Sequence, residues 1–118
     1  MATAELPIAK PIDRRSAPWP SSHTGPTIVP LAGEQDLSTR RRLAGLLAGA
    51  ISVDDADVVV DLRLVSFLDA STMGVLAEAG GFLRARHRTL VLRAPSPFGR
   101  RVLELGGLGA LIETVPAA

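Results

Sequence analysis

The chain has 118 residues and contains no cysteine, one lysine and few aromatic residues, which make up 3% of the sequence. The absence of cysteine excludes disulfide bonds, thiolate metal sites and a cysteine nucleophile. Because aromatic rings are scarce, Leu, Val and Ala must build the core, and the hydrophobic fraction of 47% is normal for a globular protein. The length fits one domain with a modest core.

The chain also lacks a large excess of either positive or negative charge. The chain has 13 basic and 12 acidic residues, which gives a net charge of +1. This balance gives no reason to expect a nucleic acid or an acidic membrane surface as a partner. The chain has two groups of arginines, Arg40–Arg42 and the set Arg84, Arg86 and Arg88, and neither group has aromatic residues interleaved with its arginines. We therefore predict that the protein does not bind nucleic acid.

Long apolar runs and catalytic signatures are also absent. The N-terminal residues lack the apolar run of a secretory signal, and no segment approaches the ~20 apolar residues of a membrane span. We therefore predict a cytoplasmic protein without membrane contact. The phosphate-loop, zinc-protease and serine-hydrolase motifs do not occur. Asp54, Asp55 and Asp57 lack the distal glutamate of a calcium loop, so we predict neither a metal site nor a cofactor.

Proline is concentrated at one end of the chain. Six of the nine prolines fall in residues 1–30. Because proline fixes φ and donates no amide, we predict a loosely ordered arm over residues 1–25 and one domain over residues 26–118. Pro30 lies within the first predicted strand, where it removes a hydrogen bond from the ladder.

From residue 27 onward, strand-like and helix-like patterns alternate. The apolar runs predict strands over Thr27–Gly33, Val58–Leu62, Thr89–Arg93 and Ala110–Val115. Segments with helical spacing separate them, and Asp36 or Ser38 is the expected N-cap of the first helix. Ser96, followed by Pro97, is the expected start of the third helix. The order β-α-β-α-β-α-β predicts an α/β fold with a largely parallel sheet.

The stretch SFLDASTMGVL, residues 66–76, places three polar side chains where a strand gives way to a helix. Asp69 or Ser71 is suited to cap that helix. A hydroxyl at a helix N-terminus is also a favourable place to hold a phosphate, which adds about −1.5 to −2 charges. The residues alone leave both interpretations open, a structural cap and a phosphorylation switch.

Three motifs, in order, resemble the STAS domains, and in particular the bacterial anti-sigma factor antagonists. The motifs are LAGEQDLSTRRRL (residues 31–43), VVVDLRLVSFLDASTMGVL (58–76) and APSPFGRRVLELGGLGALIET (94–114). The resemblance implies a STAS fold, with a four- to five-stranded, mostly parallel sheet and helices packed on one face. It also implies a binding protein that is not an enzyme.

The resemblance further implies a mechanism. In the family, the serine at the position of Ser71 is phosphorylated by an anti-sigma factor that is a serine kinase, and ATP is used by that kinase. The unphosphorylated protein binds the anti-sigma factor and frees a sigma factor, and a phosphatase restores it after phosphorylation. Many members have Gly directly after this serine, whereas this chain has Thr72, whose hydroxyl is an alternative acceptor. Ala70 stands where a hydroxyl residue often precedes the serine in the family.

The predicted partner surface joins the turns that follow the first two strands, because parallel strands open on the same sheet edge. Its residues are Gly33, Glu34, Asp36, Asp69, Ser71, Thr72, Met73 and Val75. Two alternatives stay open. The first is a STAS subunit of a lipid-transport or larger sensory assembly that acts without phosphorylation. The second is a small enzyme or nucleotide-binding protein, for which no nucleophile–base pair or phosphate loop is found.

Overall fold

The structure is a computed structural model and describes residues 25–114. Except for Gly25, the predicted arm lies outside the described residues. The elements are β1 (Thr27–Gln35), a 3-10 turn (Leu37–Thr39), α1 (Arg40–Val53), β2 (Val58–Leu68), α2 (Ala70–Arg84), β3 (Leu90–Arg93), α3 (Pro97–Leu105) and a second 3-10 turn (Gly109–Leu111).

The three strands form one parallel sheet in the order β1-β2-β3. The β-branched run that begins β2 explains its central place, because Val58 and Val60 are fully buried and pair with neighbours on both sides. Parallel neighbours need crossover connections, and α1 and α2 supply them. The predicted α/β architecture with a parallel sheet is therefore confirmed.

The helices cover one face of this sheet. Alternate residues of β1 point into the core, while Ile28 and Pro30 between them are exposed. The core is one cluster whose main members are Val29, Leu31, Val58, Val60, Leu62, Leu90 and Leu92 of the strands and Leu43, Leu47, Leu76, Leu83 and Leu103 of the helices. Aliphatic side chains thus form the core, as the scarcity of aromatic residues requires.

Two irregularities in the pairing of β1 with β2 carry both strands to the same edge. The register shifts after Pro30 and again after Gly33, and each time β2 has one residue more, which is a β-bulge. Pro30 has no N–H to donate, so a shift in the ladder suits it. Gly33 has φ +76°, which favours glycine. Beyond the bulges the strands end together, with Gln35 opposite Leu68.

The predicted cap of the third helix is confirmed, whereas α1 begins at Arg40, with Thr39 as its N-cap and no side-chain cap bond, because a 3-10 turn precedes it. Asp36 caps the 3-10 turn that precedes α1: its side chain accepts from the Ser38 N–H, and the Thr39 hydroxyl accepts from the Asp36 N–H. At α3, the Ser96 hydroxyl accepts from the Gly99 N–H, and Pro97 is the first helical residue.

The predicted fourth strand, Ala110–Val115, is wrong within the described residues. The chain there forms the 3-10 turn Gly109–Leu111, and only Ile112 makes a parallel bridge, to Leu92. The reason lies in the spacing of the apolar residues. Leu108 and Ile112, each 8% exposed, are four residues apart and both reach the core, which suits a helical turn better than an alternating strand. The described sheet therefore has three strands and this bridge.

Candidate functional site

Two turns lie side by side at the carboxyl edge of the sheet, one after β1 and one after β2. The Asp69 N–H donates to the Gln35 carbonyl oxygen at 3.2 Å, which joins the two turns directly. The predicted juxtaposition of these turns is therefore confirmed. In open α/β sheets, the carboxyl ends of the strands are where binding sites form, so this edge is the candidate site.

Asp69 organises the second turn. It has an extended backbone, as an N-cap requires, and its Oδ1 accepts from the Thr72 N–H at 3.1 Å. The same oxygen accepts from the Ser71 hydroxyl at 2.7 Å and lies 3.3 Å from Thr72 Oγ1. Asp69, and not Ser71, is therefore the cap of α2. The Ser71 side chain is not needed to satisfy the helix backbone.

The hydrogen bonds also set the charge of this turn. Donation from the Ser71 hydroxyl, followed by donation from the Thr72 N–H, lowers the pKa of Asp69 below its ordinary value. Partial desolvation acts in the opposite direction and is outweighed. Asp69 is therefore a carboxylate at neutral pH, and a carboxylate can only accept hydrogen bonds. The Ser71 proton therefore points toward Asp69.

The two neighbouring hydroxyls differ in accessibility. Ser71 is half-buried, so part of the residue is exposed to solvent. Thr72 is 1% exposed and is among the most buried side chains of the described residues. Thr72 would therefore have to leave the core before an enzyme could modify it, whereas Ser71 lies partly at the surface.

The first turn is more exposed than the second. Glu34 and Ser38 are exposed and Asp36 is half-buried. Gln35, between Glu34 and Asp36, is only 5% exposed; its side-chain amide donates to the Ala32 carbonyl at 2.9 Å. Gln35 thus anchors the turn, and its neighbours on either side face outward.

A comparison with known protein families shows to which family the chain belongs. The family model described as "Mlab, STAS domain" matches residues 21–113. The chain belongs to the STAS domain family. The predicted family resemblance is confirmed, and with it the fold class. None of the curated proteins matches the chain significantly.

Two solved structures are similar to this STAS domain. One is the anti-sigma factor antagonist SpoIIAA in its unphosphorylated form, at 21% identity and a TM-score of 0.61, covering 80% of this chain and 84% of that one. The other is the Bacillus cell fate determinant SpoIIAA in the phosphorylated form, at 24% identity and a TM-score of 0.59, covering 75% of this chain and 81% of that one. At these identities the likeness shows the shared fold.

Not every predicted surface residue of the STAS domain is freely exposed. Met73 and Val75 are partly buried and pack against the core. Met73 lies beside Gly106, where its sulfur would clash with any added Cβ. These two residues therefore hold α2 in place, and only part of each side chain is available to a partner.

Sequence reasoning missed two residues of this edge. Gln35 is one of them, because a polar residue at the end of a strand gives no sign in the sequence of being buried. Gly74 lies three residues after Ser71 on the same face of α2 and is exposed, and a Cβ added to it would meet nothing within 4 Å. A glycine at an exposed helix position lowers the stability of the fold relative to alanine. This unfavourable residue within the helical pattern is the sequence signal for Gly74.

Large apolar side chains are exposed beside both turns. Leu37, directly after Asp36, is 65% exposed, and Phe67, two residues before Asp69, is 43% exposed. Both apolar side chains are therefore available to a partner at this edge of the sheet. Within residues 25–114 there is no helix long and apolar enough to cross a membrane, and no cluster of three or more metal-binding side chains.

Proposed function

We propose that this STAS domain is a cytoplasmic anti-sigma factor antagonist, switched off by phosphorylation of Ser71. In its unphosphorylated form it binds an anti-sigma factor that is a serine kinase, and it thereby frees a sigma factor. A phosphatase returns the modified form to the active one. The domain catalyses no reaction and carries no cofactor, since ATP is used by the kinase.

The observation that carries this proposal is the place of Ser71, a partly exposed residue whose hydroxyl bonds to Asp69 but is not required for the cap. Its modification can therefore alter the surface without removing the backbone hydrogen bond that starts α2. The phosphate would bring about −1.5 to −2 charges to within a few ångströms of a carboxylate. A partner shaped for a neutral hydroxyl would then meet concentrated negative charge that is costly to desolvate.

Two further observations support Ser71 as the acceptor. Thr72, the alternative acceptor, is buried in the core. Phosphoryl transfer requires the acceptor oxygen to be placed in line with the leaving group, which a buried hydroxyl does not allow. The similar SpoIIAA has been solved in both an unphosphorylated and a phosphorylated form, which is consistent with a fold that tolerates the modification.

The test begins with capture of the partner. A Ser71→Ala bait cannot be phosphorylated there and should retain the anti-sigma factor from lysate of the native host. With that kinase and ATP, the wild-type chain should gain phosphate on the tryptic peptide of residues 64–84, at Ser71. Ser71→Ala should lose this phosphate and Thr72→Val should keep it. Phosphate on Thr72, or none from a kinase that hydrolyses ATP, would reject the assignment.

The alternative function is a STAS subunit of a lipid-transport or larger sensory assembly that acts without phosphorylation. One observation favours it: the Ser71 hydroxyl is already engaged by Asp69 at 2.7 Å, as a residue with a purely structural role would be. In that case the bait would capture transporter or sensory subunits and no kinase. Turnover of a substrate without any partner would instead support an enzyme.

A further inference from the structure

The site motif occurs twice in the chain. Asp36-Leu37-Ser38-Thr39 follows β1, and Asp69-Ala70-Ser71-Thr72 follows β2, so the same Asp-x-Ser-Thr order ends two neighbouring strands. The proposed function uses only the second copy. The Asp69 N–H of the second copy donates to the carbonyl oxygen of Gln35, the residue directly before the first copy.

The serine has the same geometry in both copies. Ser38 donates its hydroxyl proton to Asp36 Oδ1 at 2.6 Å, and Ser71 donates to Asp69 Oδ1 at 2.7 Å. Both aspartates have an extended backbone, with φ −142° and ψ −166° at Asp36 and φ −125° and ψ −174° at Asp69. An enzyme that recognises a serine hydroxyl held by the carboxylate two residues earlier therefore finds two such groups on this edge.

The Ser38 hydroxyl is also accessible and free of a structural task. Ser38 is exposed, whereas Ser71 is half-buried. The first turn is held by the pairing of Asp36 with the Ser38 backbone and of Thr39 with the Asp36 backbone, and by the contact of Thr39 Oγ1 with the Asp36 carbonyl oxygen. None of these bonds uses Ser38 Oγ, so its modification leaves them in place.

The charges that follow the two serines are different. Ser38 is followed after one residue by Arg40–Arg42, all exposed, whereas the residues after Thr72 are Met73, Gly74 and Val75. Guanidinium groups pair with phosphate through short, charge-assisted hydrogen bonds. The first copy therefore has three exposed basic residues close to its serine in sequence, which the second copy lacks, and this difference is independent of the hydrogen bonds within the turn.

We propose that Ser38 is a second phosphoacceptor, modified by a protein serine kinase that uses ATP. Ser38 Oγ forms a bond to the γ-phosphorus, and the bond from that phosphorus to the β–γ bridging oxygen breaks. ADP leaves with that electron pair, and a base of the kinase takes the hydroxyl proton. The proposal rests on the proposed function in one respect: the kinase that works on Ser71 docks on the edge that also holds Ser38.

Trypsin places the two serines on different peptides, residues 16–40 and 64–84. The full chain, its Ser38→Ala and Ser71→Ala variants and the double variant are incubated with ATP and the kinase captured by the Ser71→Ala bait. We expect two phosphates on the wild type, one on each single variant and none on the double variant, with fragment ions locating the first at Ser38. Ser52→Ala, which removes an exposed serine of α1, should keep both.

Each outcome separates the two proposals. Phosphate on residues 64–84 with none at Ser38 in any variant overturns the second acceptor and leaves the proposed function standing. Phosphate at Ser38 alone supports the second acceptor and overturns Ser71. No phosphate on either peptide, from a kinase that hydrolyses ATP, overturns both. Melting curves should show that Ser38→Ala folds like the wild type, since its hydroxyl supports none of the turn's backbone bonds.

Discussion

Asp69 is the residue on which the candidate site depends. Its carboxylate accepts from the Thr72 backbone and from the Ser71 hydroxyl, so it starts α2 and orients the proposed acceptor at once. The sequence marks both Asp69 and Ser71 as candidates, because short polar residues between a strand and a helix are suited to cap that helix. It left open which of them was the cap, since either side chain is able to reach the free amides.

The lowered pKa of Asp69 predicts a pH-dependent contribution to stability. A carboxyl whose pKa is lower in the folded state stabilises the fold above its unfolded pKa, about 4. That contribution is lost as the pH falls through the lowered folded pKa. Asn also caps helices but does not titrate. The wild type should therefore melt above Asp69→Asn at neutral pH, and the difference should shrink in strong acid.

Thermal melting of both proteins at pH 7 and near pH 2 checks this prediction. The comparison with Asn cancels the other carboxyls, including Asp61 and Glu113, whose pKa values are lowered by hydrogen bonds from Arg63 and Arg93. Equal differences in melting temperature at the two pH values would show that the Asp69 charge contributes nothing.

At the scale of elements, α2 has to serve both the core and the surface. Leu76 and Leu83 are fully buried, whereas Ser71 and Gly74 lie on its outer side. Gly74 leaves the helix surface flat one turn after the proposed acceptor. We interpret this glycine as a feature of the interface because it lies one turn after Ser71, and none of the described residues occupies the space beside it.

Gly74→Ala should therefore stabilise the fold and weaken binding to the captured anti-sigma factor. Replacing an exposed helical glycine with alanine is worth about 0.5–1 kcal/mol of unfolding free energy. Gly49→Ala is the matched control, since Gly49 lies within α1 and is equally unobstructed. Denaturant unfolding should show a similar gain for both variants, and binding should fall only for Gly74→Ala. Equal binding by both would remove Gly74 from the interface.

The elements that sequence reasoning placed well are those with a clear apolar period and a chemically marked start. α3 is an example, with Ser96 as its cap and Pro97 as its first residue. The bulges of β2 were not predictable, because they depend on how two strands pair, which the pattern of one strand does not contain. The absence of the fourth strand does have a sign in the sequence, the four-residue spacing of Leu108 and Ile112, but the short apolar run around Ile112 is equally typical of a strand.

At the scale of the whole molecule, the two edges of the sheet are built differently. The carboxyl edge carries the two Asp-x-Ser-Thr turns. At the opposite edge, where the strands begin, the Arg88 guanidinium donates to the carbonyl oxygens of Ile51, Asp54 and Ala56 at 2.8–3.1 Å. These bonds tie the end of α1 to the loop that precedes β3.

Arg88→Ala should lower the unfolding free energy by about 1–3 kcal/mol, because three carbonyl groups lose a charged donor. Binding to the captured partner should be unchanged, since Arg88 is on the edge opposite Ser71. Exposed Arg41 is the control for loss of a positive charge, and Arg41→Ala should change stability little. If Arg88→Ala has the same denaturant midpoint as the wild type, these hydrogen bonds do not contribute to the unfolding free energy.

The central claim is that charge at Ser71 ends partner binding while the fold persists. Calorimetric titration of the captured anti-sigma factor with the wild type, Ser71→Ala and Ser71→Asp tests it directly, with melting curves alongside. Ser71→Ala should bind like the unphosphorylated wild type and lose about 1 kcal/mol of stability or less, because Asp69 remains the cap. Ser71→Asp should bind at least about tenfold more weakly, equivalent to about 1.4 kcal/mol, at nearly unchanged stability. Binding of Ser71→Asp as tight as that of the wild type, or a loss explained by unfolding, would contradict the switch.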